Sequence, residues 1–244
     1  MFPDQYKTYF RQLIYPGWGV EAQEKVEQAT VLLAGAGGLA SSAALYLAAA
    51  GIGKLILCDH DVVEETNLNR QILHTKSNLG KLKVDSAKEL ISQLNPRVEV
   101  TALPIRLTDE TISEAAAGAD IIVDCLDSIE SRFVLNRYCV SRKIPMVHAG
   151  MYGMSGQITV FYPDKYPCLA CLISEKADSK GPIPVIGAAV GILSSLQALE
   201  VLKLITGIGE PLLGRMLLFN GLKSEFDEIR ISRDPDCLVC RDIE

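Results

Sequence analysis

Apolar positions in this chain come in short runs separated by glycine turns and by longer segments of helical periodicity, and this alternation predicts its elements. Residues 30–34 form a β-type run; Gly35-Ala36-Gly37-Gly38 follows, and residues 39–50 are an Ala/Leu-rich helix former. Residues 54–58 read as a second strand ending at Asp59-His60-Asp61. The first strand–helix–strand unit therefore closes within about 30 residues, and its strands should run parallel. Further on, residues 79–94 have helical periodicity, 98–103 are strand-like, 120–125 form a buried-type strand and 129–142 return as helix. A short strand is expected at 144–148. Runs at 156–162, 214–220 and 225–231 are expected to pair antiparallel.

Residues 174–184 are rich in Lys, Ser, Gly and Pro and predict a mobile loop that could act as a lid; 187–206 predict a long helix. In that helix Gln197, Glu200 and Lys203 recur every third position, which predicts one wet edge on a packed rod. One domain is expected over 1–244: an N-terminal helical segment (1–28), a nucleotide-binding part (29–150), and a part (151–244) for zinc and for a protein partner. The fold class is α/β, a Rossmann-like, mostly parallel sheet with an appended C-terminal antiparallel β region and a four-cysteine zinc site.

The zinc expectation comes from two knuckles, Cys168-Leu169-Ala170-Cys171 and Cys237-Leu238-Val239-Cys240. Each C-x-x-C pair can share one ion, and two pairs complete the four ligands of structural zinc. They lie too far apart in sequence for a compact finger, so the ion would staple distant parts of one domain. Cys58, Cys125 and Cys139 read as small apolar packing.

Composition narrows the classes further. Seven cysteines, an odd number, suit a reducing compartment, and no basic-then-apolar leader opens the chain, so a cytoplasmic location is expected. The uncharged stretch 181–199 contains two prolines and three glycines and makes a poor membrane span. A net charge of −6 argues against broad nucleic-acid or anionic-membrane binding.

Glycines at Gly35, Gly37 and Gly38 let backbone N–H groups approach a phosphate at a helix N-terminus, and alone this turn suits NAD, FAD, S-adenosylmethionine or ATP. Asp59, at the end of the second strand, can accept from ribose hydroxyls. Arg70 and Lys83 suggest phosphate chemistry, because cations lower the barrier as charge builds on a departing pyrophosphate. Asp127 offers a hard oxygen ligand for Mg2+.

Tyr9-Phe10-Arg11-Gln12, Gly35-Ala36-Gly37-Gly38-Leu39, Asp59-His60-Asp61, Asn67-Leu68-Asn69-Arg70-Gln71, Gly80-Lys81-Leu82-Lys83, Asp124-Cys125-Leu126-Asp127, Gly156-Gln157 and both cysteine pairs, in this order, resemble the ThiF/MoeB/HesA family, relatives of ubiquitin-activating enzymes. The resemblance implies an adenylyltransferase. It would use Mg-ATP to activate the C-terminal glycine carboxylate of a small β-grasp sulfur-carrier protein with a diglycine tail, as in thiamine or molybdopterin biosynthesis. It assigns Arg11, Arg70, Lys83 and Asp127 to catalysis and Gly35, Gly37, Gly38, Asp59, Asp61, Asn67, Asn69, Gln71 and Ser128 to the nucleotide. It also implies a homodimer in which Arg11 enters the partner subunit's ATP site.

Two departures are mild: Thr8 replaces the first arginine of R-Y-x-R-Q, and Ser128 stands where Asn is usual. A third matters more. No cysteine lies between Cys171 and Cys237, so adenylation without a covalent carrier intermediate there is expected, with a separate protein as sulfur donor. Rival readings are a tRNA-modifying dehydratase of the same superfamily, an NAD- or FAD-dependent oxidoreductase, and a non-catalytic scaffold for a β-grasp protein.

Overall fold

A computed structural model of the chain describes residues 4–163, 165–176, 181 and 183–241. After a single-turn α1 (Phe10–Leu13) and α2 (Gly19–Gln28), the chain alternates β1 (Thr30–Ala34), α3 (Gly38–Ala50), β2 (Lys54–Cys58), α4 (Lys83–Leu94), β3 (Glu99–Leu103), α5 (Ile112–Ala115), β4 (Ile121–Asp124) and α6 (Ile129–Arg142). It then runs through β5 (Met146–Tyr152), β6 (Ser155–Phe161), α7 (Gly187–Thr206), β7 (Arg215–Asn220) and β8 (Glu225–Arg230). All eight strands share one sheet in the order β3-β2-β1-β4-β5-β6-β7-β8. From β3 to β5 the pairing is parallel, and from β5 to β8 antiparallel, the expected architecture.

The parallel strands read as unbroken apolar runs because both of their faces are covered. In β1, Val31 and Leu33 pack into a core with α3, α4 and α7, whereas Leu32 and Ala34 face a second core with α5 and α6. β8 is the opposite case: all six of its residues are exposed at the sheet edge, and four of them carry charge, which keeps that edge from pairing with another strand.

Three details differ from the sequence expectation. The helix expected from residue 79 starts at Lys83, because Gly80 adopts φ +80° and Leu82 bridges to Val62 before the helix begins. The strand expected over 144–148 runs on to Tyr152, carried by antiparallel pairing with β6 that a local apolar pattern does not reveal. The polar stripe of α7 is not wet at Gln197 and Glu200. Gln197 is fully buried and donates through Nε2 to the Asp124 and Val147 carbonyls, and the buried Glu200 carboxylate accepts from Leu212 N–H and pairs with Lys203. Length and apolarity alone would let α7 cross a membrane; here it packs in the layer with α3 against the sheet.

Candidate active site

The chain leaves β1 and β4, adjacent parallel strands, in opposite directions across the sheet, which opens a crevice at their carboxyl ends. A cleft of about 650 Å³ occupies it. Glycine builds the cleft floor. Gly35 has φ +102°, and a Cβ there would stand 2.8 Å from the Cys125 carbonyl oxygen, so β1 and β4 close on each other only without a side chain. Gly37 then caps α3 with no side-chain hydrogen bond, leaving the first N–H groups of the helix open beside the cleft.

Asp59 is fixed from both sides: one carboxylate oxygen accepts from Ala36 N–H at 2.8 Å and the other from Asp61 N–H at 2.9 Å. Lys83, at the first position of α4, is almost fully buried, and its Nζ stands 2.7 Å from Asp61 Oδ2. Burial pushes the Asp61 carboxyl up, but the Lys83 hydrogen bond and charge, with His60, hold it below the ordinary range. Arg70 donates through Nη1 to the Thr66 carbonyl and to Asn69 Oδ1 at 2.8 and 2.9 Å, which leaves Nε and Nη2 for a ligand. The Asp127 carboxylate is exposed in the cleft and has no partner among the described residues. Buried Gln71 lines the wall beside Gly37, and its Oε1 likewise finds no partner. Ser128 caps α6 by accepting from Ser131 N–H.

The cleft thus gathers Gly35, Gly37, Gly38, Asp59, Asp61, Arg70, Gln71, Lys83, Asp127 and Ser128. Asn67 and Asn69 do not line it. Asn67 builds the preceding turn, its side chain accepting from Glu64 N–H and its carbonyl from Arg70 and Gln71 N–H, and Asn69 orients Arg70. Arg11 stands exposed on α1, away from its own chain's cleft. Of the expected lid, residues 177–180 and 182 lie outside the described residues; Gly181 and Ile183 line the cleft, as does Val185 just after the loop, which bridges to Gly153.

The sequence reading missed three side chains. His74 is buried under the glycine turn, with Nε2 2.9 Å from the Ala36 carbonyl and Nδ1 2.9 Å from Ser86 Oγ, and burial holds its pKa low. The carbonyl can only accept, so Nε2 carries the proton. Arg132 lines the cleft one helical turn after Ser128, a spacing that could have flagged it. His148 meets Asp124 beneath the floor, and nothing local in sequence signals that pairing.

The four knuckle cysteines converge. Their sulfurs lie within 4.8 Å of one another, with Cys168–Cys171, Cys168–Cys237 and Cys171–Cys240 at 4.0, 3.8 and 3.5 Å. Zn–S bonds of about 2.3 Å in a tetrahedron require sulfur pairs about 3.8 Å apart, so the set fits zinc and is too open for disulfides. Asn136 supports it from outside, donating to Cys168 Sγ and accepting from Leu169 N–H. Cys58, Cys125 and Cys139 are buried as expected, and burial pushes all three thiols up, Cys58 to about 12.

Residues 9–239 match the ThiF family. The chain is 37% identical to the molybdopterin-synthase adenylyltransferase of Salmonella typhimurium over 95% of both proteins. It is 41% identical to the mouse adenylyltransferase and sulfurtransferase MOCS3, covering 97% of this chain but 53% of that one, so it spans about half the length of the animal relative. Among solved structures, E. coli MccB with ATP superposes with a TM-score of 0.83 at 28% identity, covering 91% of this chain and 68% of MccB.

Proposed function

The chain belongs to the ThiF family, and from that premise we propose that it is an ATP-dependent adenylyltransferase. Its substrate is the C-terminal glycine carboxylate of a small β-grasp sulfur-carrier protein. The observation that carries this reading is the joint placement of an uncapped helix N-terminus, a fixed ribose-type carboxylate, the cations Arg70 and Lys83, and an Asp127 carboxylate without a partner among the described residues, in a single cleft. The named relatives are adenylyltransferases, and the bacterial one serves molybdopterin synthase, so a carrier of that class is the first to assay.

The carrier's carboxylate oxygen attacks the α-phosphorus, the bond to the β-phosphate bridging oxygen breaks, and pyrophosphate leaves with the electron pair. The products are an acyl adenylate and pyrophosphate. The open N–H groups of α3 hold phosphate oxygens and Asp59 accepts from the ribose. Arg70 balances charge as pyrophosphate departs. Lys83 joins it by exchanging Asp61 for phosphate oxygen. Asp127 and the cleft's phosphate site offer hard oxygen ligands, so Mg2+ fits there; when bound it neutralises phosphate charge. Asn67, Asn69, Gln71 and Ser128 act around this set, the first two by shaping the Arg70 turn.

Zinc at Cys168, Cys171, Cys237 and Cys240 is structural, joining the segment after β6 to the one after β8. Arg11 serves the partner subunit's site in a homodimer, a role consistent with its exposure outside its own cleft. The chain works as one adenylation domain with a separate sulfur donor. Incubation with ATP and each diglycine-tailed carrier, followed by intact-mass analysis, should show the carrier with AMP added and no carrier covalently held between Cys171 and Cys237. Unmodified carrier in every case would reject this reading.

A further inference from the structure

Beneath the cleft lies a buried charged group that adenylation chemistry does not itself call on. Asp124 ends β4 with no exposed surface, and His148 in β5 is equally buried. His148 Nδ1 stands 2.7 Å from Asp124 Oδ2, and Arg132 Nε stands 3.6 Å from the same oxygen. A buried carboxylate is costly unless it is paired and hydrogen-bonded. Burial drives the Asp124 carboxyl up, yet Arg132, His148 and the Leu126 N–H together hold it below the ordinary range, so it stays charged. Burial holds the His148 pKa low, so the ring is neutral with its Nδ1 proton on Asp124. One negative and one positive charge balance.

What this group grips is the turn that carries Asp127. Asp124 Oδ1 accepts from Leu126 N–H at 3.0 Å. The Leu126 carbonyl accepts from Arg132 Nε and Nη2 at 3.1 and 2.6 Å, and Nη2 also reaches the Ala149 carbonyl in β5 at 3.1 Å. Leu126 is therefore held through both its N–H and its C=O, and that carbonyl belongs to the peptide bond leading into Asp127. From behind, Gln197 ties the Asp124 carbonyl to that of Val147. Asp127 itself is exposed and its side chain has no partner among the described residues, so among these the backbone of this turn is what directs it into the cleft.

We propose that Asp124, His148 and Arg132 are positioning residues that lock the Leu126–Asp127 turn, so that the Asp127 carboxylate meets the nucleotide's phosphates and their metal in one fixed place. The inference rests on the nucleotide reading of the cleft but not on the identity of the carrier. A merely structural network would, when broken, weaken ATP binding with and without metal alike. A positioning network acts only through Asp127, so its loss falls on the part of the affinity that Mg2+ contributes.

The test is calorimetric ATP binding to the zinc-loaded protein, in Mg2+ and in EDTA. Asp124→Asn and His148→Leu should each lose about tenfold or more of the gain that Mg2+ gives, as broken supports of metal ligands do, while affinity in EDTA stays within about twofold of wild type. His148→Asn, whose amide nitrogen can take the place of Nδ1, should recover most of that gain. An unchanged Mg2+ gain in His148→Leu, equal losses in both buffers, no recovery in His148→Asn, or a wild type with no Mg2+ gain would each overturn the proposal. Should Asp124→Asn not fold, the two His148 variants decide. A wild type that shows the Mg2+ gain but adenylates no carrier would sink the substrate reading and leave this inference standing.

Discussion

The cleft and the cysteine knuckles hold polar groups in opposite ways. At the cleft, the helix N-terminus is uncapped, Asp127 has no partner among the described residues and Gln71 Oε1 is buried without one. At the knuckles each thiol has another within 4.0 Å, and Asn136 closes the set. Groups left open on a rigid floor are poised for a ligand that comes and goes. Groups turned on one another suit an ion that stays. The contrast predicts that damage at the cleft should cost chemistry with little stability, and damage at the knuckles should do the reverse.

The largest expected effect is on rate. Arg70→Ala should lower adenylation about 100- to 1000-fold, in the range seen when a fixed charge stabiliser is removed, with thermal unfolding almost unchanged. A variant that lost rate only in proportion to folded protein would erase the distinction. Cys168→Ser should give the mirror result: zinc content measured by mass spectrometry falls and stability drops by about 4 kcal/mol or more, while the folded fraction still binds ATP. Full zinc content in that variant would contradict the four-thiolate assignment.

Gly35→Ala tests a position where both properties should suffer. With φ +102° and the Cys125 carbonyl 2.8 Å from the added methyl, it should cost about 1–3 kcal/mol of stability and weaken ATP binding. The smallest effect concerns Asp61. Its folded carboxyl titrates below its unfolded value of about 3.9, so its pairing with Lys83 contributes stability that is present above about pH 4 and fades as pH falls through the folded value. Urea midpoints followed into acid should therefore fall less steeply for Asp61→Asn than for wild type.

Much of this contrast was legible in the sequence because it rests on local signals. The run at Thr30–Ala34, the glycine turn and the cysteine spacing each demand one geometry, and the structure supplies it. Expectations failed where tertiary pairing decided. The stripe of Gln197 and Glu200 looks like a solvent edge by periodicity, yet Gln197 is buried against the carbonyls of β4 and β5, and Glu200 against the backbone before β7. Asn67 and Asn69 share a motif with Arg70, but Asn67 is buried where it builds the turn, and Asn69, exposed outside the cleft, accepts from Arg70. The group of Asp124, Arg132 and His148 comes from three elements that meet only when the sheet assembles, and no spacing announces it.

The central claim is that the open groups of the cleft activate a carboxylate with ATP. It is tested most directly by ATP–pyrophosphate exchange with each diglycine-tailed carrier, comparing wild type with Asp127→Ala. Exchange that requires both a carrier and the Asp127 carboxylate is the predicted result. Exchange that is absent with every carrier, or equally fast without Asp127, would contradict the account.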